Sequence, residues 1–191
     1  IKIMVLNNKQ IQKDPNQKDI KFLLKLFNSN QLIDAKKEID KQIAIYPNSS
    51  ILYNILGAIL AAQDQLDLSI EYYKRAIKIN PYYAQAHNNL GIALQKLNKI
   101  DEAIKNYSKA ISLKTNFAEA LNNLGNVILQ LNRPKEALGY FQKAIKIKPD
   151  YAEAYNNIGA IYEALGNKKE ALYNFQKAIK IKPDYAEVYN S

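Results

Sequence analysis

Three pairs of adjacent asparagines, Asn88–Asn89, Asn122–Asn123 and Asn156–Asn157, recur at intervals of 34 residues, and Asn54 and Asn190 extend the column by one step at either end. A side-chain amide both donates and accepts hydrogen bonds. A column of them can hold the backbone of an extended peptide without reading its side chains. The same amides can instead bond to one another between neighbouring elements, or reflect an AT-rich coding sequence. Asparagine is a mediocre former of mid-helix, so the column calls for a reason, and the residues alone leave these readings open.

Other chemistry is scarce. The chain has no cysteine and one histidine, His87. This excludes a disulfide framework, a thiolate nucleophile and a Cys-based metal site. No glycine-rich phosphate loop, dinucleotide fingerprint or H-E-x-x-H pair is present. A Ser–His–Asp set cannot be built on one histidine that falls on a packing stripe, and His87 reads as a packed core imidazole. No catalytic residue, cofactor or metal is expected of this stretch.

The amide column belongs to a repeat. Gly57, Gly91, Gly125 and Gly159 are spaced by 34 residues, and Pro47, Pro81, Pro149 and Pro183 keep the same period with Thr115 in the missing slot. With Ser50 as position 1, four units follow at 50–83, 84–117, 118–151 and 152–185, the last two sharing 22 of 34 residues. Positions 4, 7 and 11 carry Tyr53, Leu56, Leu60 and their counterparts, the apolar stripe of a first helix. Position 15 holds Asp64, Asn98, Asn132 and Gly166, types that tolerate left-handed backbone and end a helix. Pro134 suits the first turn of a second helix. That helix carries an aromatic residue at position 24 (Tyr73, Tyr107, Phe141, Phe175) between small residues at 20 and 27. The glycine at position 8 costs roughly 1 kcal/mol of helix propensity, so it marks a point where the second helix approaches closely. The proline at 32 is expected to stop that helix.

An aromatic or large residue at 4, Leu-Gly at 7–8, Ala at 20, an aromatic at 24, Ala at 27 and Pro at 32 resemble the tetratricopeptide repeat over residues 50–185. Ser69, Thr115, His87 and Leu121 are the departures. Residues 16–49 look like a degenerate unit, with Ala35 and Pro47 on positions 20 and 32, Leu23 replacing the glycine and Ile39 the aromatic. Residues 1–15 match no unit. Residues 186–191 repeat the opening of the preceding unit and stop in mid-helix, which suggests a further, truncated repeat and self-association through its uncapped end. The resemblance implies an all-α, right-handed α-solenoid of stacked helix-turn-helix units, about ten helices between residues 16 and 185.

It also implies that positions 2, 5, 6, 9, 12 and 13 line a concave inner groove. The candidate peptide-binding residues are therefore Asn54, Asn88, Asn89, Asn122, Asn123, Asn126, Asn156 and Asn157, with Glu119 and Glu153 at position 2. Acids there would repel a free carboxylate rather than clamp it. Asn-Leu-Gly at 6–8 is similar to the asparagine ladder in repeats of O-linked N-acetylglucosamine transferases and of sulfotransferase-linked bacterial proteins. Two functions follow as expectations: a protein-interaction scaffold that binds an extended peptide or a partner helix, or a targeting domain ahead of a glycosyltransferase or sulfotransferase beyond residue 191.

The net charge of +9 raises nucleic acid or anionic lipid as a partner. Its lysines, among them Lys109, Lys143 and Lys177 at position 26 and Lys114, Lys148 and Lys182 at 31, fall on the second helix and the turn after it. Cations are favoured near helix C-termini, and no aromatic residue is regularly interleaved to stack bases. The basic face therefore reads as a solvated one, and nucleic acid is not the expected partner. The longest apolar run, residues 55–62, is far below the roughly 20 residues of a membrane span. A cytoplasmic location is the expectation.

Overall fold

The computed structural model describes residues 14–183, all helical apart from short turns. Among these residues there is no strand, and ten helices run α1 (Gln17–Asn28), α2 (Leu32–Ile45), α3 (Ser50–Ala62), α4 (Leu66–Ile79), α5 (Ala84–Lys96), α6 (Ile100–Leu113), α7 (Ala118–Gln130), α8 (Pro134–Ile147), α9 (Ala152–Ala164) and α10 (Lys168–Ile181). The chain divides within α5, after Asn89, into two compact units. In the first, α2 packs on α1, α3 on α2 and α4 on α3. In the second, α7 packs on α6, α8 on α7, α9 on α8 and α10 on α9, and α7 also touches α9. Each unit is thus a stack of helical hairpins. The proposed opening of another repeat at 186–191 and most of the unassigned segment 1–15 lie outside the described residues.

The turn inside each hairpin is built by one backbone device. Asn30, Asp64, Asn98 and Asn132 adopt φ of 57–60°, and Gly166 adopts φ 78°. The next N–H then reaches back to the carbonyl five residues earlier, as from Gln65 to Leu60 and from Lys99 to Leu94, both at 2.9 Å. This Schellman closure satisfies carbonyls that the helix end leaves open. Position 15 behaves as its residue types imply, and Asn30 shows the same turn in the degenerate unit. Pro134 opens α8.

The second helices end at Ile79, Leu113, Ile147 and Ile181, the same repeat position each time. Two residues after Leu113 stands Thr115 where the other repeats have proline, so proline is not required to stop the helix. The following residue leaves the helix with extended backbone, at φ −137° and ψ 94° for Lys114. The aromatic residue three further on is drawn into the core; Phe117 and Tyr151 are buried. Lys114 and Lys148 then lie over those rings at 4.7 and 4.8 Å from the centroids.

Each position-8 glycine lies against the aromatic ring of its own second helix. A Cβ on Gly57, Gly91, Gly125 or Gly159 would come within 2.6–2.7 Å of Tyr73, Tyr107, Phe141 or Phe175. Tyr73, Tyr107 and Phe141 are buried, beside fully buried alanines such as Ala103, Ala110, Ala137 and Ala144. Burial holds the Tyr73 and Tyr107 hydroxyls well above the usual tyrosine pKa; Tyr107 donates to Gln95 Oε1 at 2.9 Å. In the first hairpin the sizes are exchanged: Leu23 replaces glycine, Ile39 replaces the ring, and both are fully buried in one core with Leu52 and Leu56.

Gly125→Ala is expected to lower stability by about 1–3 kcal/mol, since the Phe141 ring must shift to admit a methyl group. Gly139→Ala, in α8 with nothing within 4 Å of the added Cβ, is expected to raise it by about 0.5–1 kcal/mol through helix propensity. Urea unfolding of the two variants tests the contrast.

Candidate functional site

The first helices carry the asparagine column, and the structure separates its members by burial. At position 5, Asn54, Asn88 and Asn122 are 6%, 3% and 2% exposed. Asn156, at the same position, is half-buried, as are Asn89, Asn123, Asn126 and Asn157. Glu119 and Glu153 are exposed. Asn190 lies outside the described residues.

Within each unit the amides are joined across one repeat step. Asn89 Nδ2 donates to Asn54 Oδ1 at 3.0 Å. Asn157 Nδ2 donates to Asn122 Oδ1 at 3.3 Å and to Asn126 Oδ1 at 2.8 Å. Position 6 of one repeat therefore bonds position 5 of the repeat before it. Gln85 Nε2 donates to Asn89 Oδ1 at 3.1 Å, extending the first of these chains. Asn54 Nδ2 also reaches the Tyr83 hydroxyl at 3.5 Å; burial raises the pKa of that hydroxyl, opposed by the Asn54 contact. Buried polar groups need partners, and within each unit the stacking step supplies one to Asn54 and to Asn122. Glu119 is 3.9 Å from Lys148, with both side chains about half exposed, so that pair adds little stability.

His87 is buried, with Nε2 3.2 Å from the Pro81 carbonyl. One repeat earlier, the Tyr53 hydroxyl donates to the Pro47 carbonyl at 3.0 Å. The imidazole thus takes the place of a phenol, and because a carbonyl only accepts, Nε2 carries the proton. Among the described residues no group of three His, Cys, Asp or Glu is placed to hold a metal ion.

The first unit also contains a cleft of about 590 Å³ that the amide column did not point to. Ile20, Leu24 and Phe27 of α1, Ile51, Ile55 and Ala58 of α3, and Tyr73 form its apolar walls. Asn54, Tyr83, Gln85 and Asn89 supply its polar side. The signal for it lay in two departures: Ile51 and Ile55 stand at positions 2 and 6, where the second unit has Glu119 and Glu153, and Asn123 and Asn157. Its other wall comes from α1, in the unit that matches the repeat pattern least.

The model of the tetratricopeptide repeat matches residues 48–116, 82–150 and 116–184, and the chain belongs to that family, whose members are generally protein-interaction scaffolds. Among the solved structures similar to it are MamA, YrrB and PilF. MamA is 28% identical, with 85% of this chain and 95% of that chain covered and a TM-score of 0.71. YrrB, described as a tetratricopeptide protein with an unusual peptide-binding site, is 23% identical, with 95% of each chain covered and a TM-score of 0.65. PilF of Pseudomonas aeruginosa is 19% identical, with 91% of this chain and 83% of that chain covered and a TM-score of 0.79. No curated protein matches the sequence. Fold and family fit a non-catalytic repeat domain. Among the described residues no helix is long and apolar enough to cross a membrane.

Asn122→Ala is expected to cost about 0.5–1.5 kcal/mol, because it removes one of the two acceptors of the Asn157 amide, Asn126 remaining at 2.8 Å. Glu153→Ala, on the exposed surface, is expected to stay within about 0.5 kcal/mol of the parent. Urea denaturation measures both.

Proposed function

We propose that this chain is a peptide-binding scaffold whose principal contact is the apolar cleft of the first unit. The cleft itself is the observation that carries this reading: apolar walls from α1 and α3 stand beside a side lined by amides. A bulky apolar side chain seated among Leu24, Phe27, Ile51 and Ile55 would contribute about 1.5–3 kcal/mol. Gln85 and Asn89 are solvent-accessible enough to take the peptide backbone, each contact contributing about 0.5–1.5 kcal/mol. Similarity to YrrB, a protein described by its peptide-binding site, supports the same class of ligand.

The amide column takes two roles in this proposal. Asn54 and Asn122 act as struts between repeats, since they are buried and bonded to Asn89 and Asn157. Asn89 borders the cleft of the first unit; in the second unit Asn123, Asn126, Asn156 and Asn157 border a face open to a peptide backbone, with Glu119 and Glu153 at its edge favouring basic over acidic segments. The partner is a protein rather than a nucleic acid. Lys114 and Lys148 are engaged with Phe117 and Tyr151, which leaves those rings covered by cations rather than open to bases.

The test is selection from a random twelve-residue peptide display library on the immobilised chain. Enriched peptides should share one bulky apolar residue. The double variant I51E/A58N carries residue types that the second unit holds at the same positions, so it should fold normally. It should lose about tenfold or more in affinity for the selected peptides. No enrichment, or unchanged affinity in a folded I51E/A58N protein, contradicts the proposal.

A further inference from the structure

The four repeats after residue 49 act as controls for one another. At positions 25, 26 and 29 they carry Lys74, Arg75, Lys78; Ser108, Lys109, Ser112; Gln142, Lys143, Lys146; and Gln176, Lys177, Lys180. Only the first set has a cation at all three places. These three residues, with Ile79 of α4 and Pro47 and Asn48 of the α2–α3 turn, line a cavity of about 570 Å³ in the first unit.

No carboxylate lines the cavity, and the ion pairs formed among the described residues involve neither Lys74, Arg75 nor Lys78. Glu71, one turn upstream on α4, is exposed and takes part in none of those pairs. Arg75 is positioned in advance. Its guanidinium carbon lies 4.3 Å from the centroid of the Tyr53 ring, and the Tyr53 hydroxyl is tied to the Pro47 carbonyl at 3.0 Å. Stacking occupies one face of the guanidinium and leaves its planar fork of N–H donors for an anion.

We propose that this cavity receives a phosphorylated side chain of a protein partner. A phosphomonoester concentrates about −1.5 to −2 charges and three acceptor oxygens in one group at neutral pH. Lys74, Arg75 and Lys78 match that density from a little more than one helical turn, with Arg75 supplying the bidentate contact. A nucleic acid spreads single charges along a strand and gains from stacking on aromatic rings, and no aromatic side chain lines this cavity. A bilayer presents a plane rather than a group that enters a recess. The site shares no lining residue with the apolar cleft, so it stands or falls independently of the peptide-binding proposal.

Amide chemical-shift changes in the whole chain test it, with a capped five-residue alanine peptide bearing a central phosphoserine as the probe. Its serine counterpart and phosphatidylserine-containing vesicles serve as separate arms. Saturable shifts are expected at residues 47–48 and 74–79 with the phosphopeptide alone. R75K and K74Q/K78S install types that the other repeats carry, so both should fold. The double variant should weaken binding by about tenfold or more, and R75K by less, because lysine keeps the charge and loses the fork. Absence of saturable shifts overturns the proposal. So do equal shifts around Lys109, Lys143 and Lys177, which would signal a general effect of basic surface, and so do vesicles acting on the same amides without the peptide.

Discussion

The contact between a backbone and the edge of an aromatic ring governs this architecture. Each position-8 glycine leaves less than 3 Å between where its Cβ would be and the ring at position 24. No other residue lets the two helices of a hairpin come so near. Once they do, little space remains on either side of the ring, and alanine, or Ser69 in the first case, occupies the flanking positions on the second helix. The first hairpin meets the same constraint with the sizes exchanged, Leu23 filling the gap that Ile39 leaves.

A second constraint acts between hairpins, and it is polar. Asn54 with Asn89, and Asn122 with Asn157, place a donor against an acceptor one repeat apart. Apolar packing tolerates sliding of one helix along another. A buried amide does not, because displacement strands it without a partner. The column therefore sets the register of the stack. Its mediocre helix propensity is the cost of that role.

Individuality sits where the repeats differ. The first unit departs from the second at Ile51 and Ile55, and an apolar cleft results. It departs again at Lys74 and Arg75, and a basic recess results. A regular scaffold of this kind presents nearly the same surface at every step, so recognition must come from the steps that break the pattern. His87 shows the opposite case: an unusual residue that changes nothing, since its Nε2 repeats the bond that the Tyr53 hydroxyl makes to a proline carbonyl.

By itself the sequence determined the period, the helix pairs, the left-handed turns at position 15 and the approach of each glycine to its ring. These depend on local backbone preference and on residue size at fixed spacing, which a single repeat displays in full. It also overstated proline, since α6 ends at the same position with Thr115 in the proline slot. The fate of the amides was decided only by the tertiary structure. Asparagine at positions 5 and 6 has the same chemistry whether it faces solvent or a neighbour 35 residues away, and only the stacked helices choose. The cleft was hidden for the same reason. Ile51, Ile55 and Ala58 read as ordinary apolar residues until α1, from a unit with little repeat signature, supplies the opposing wall.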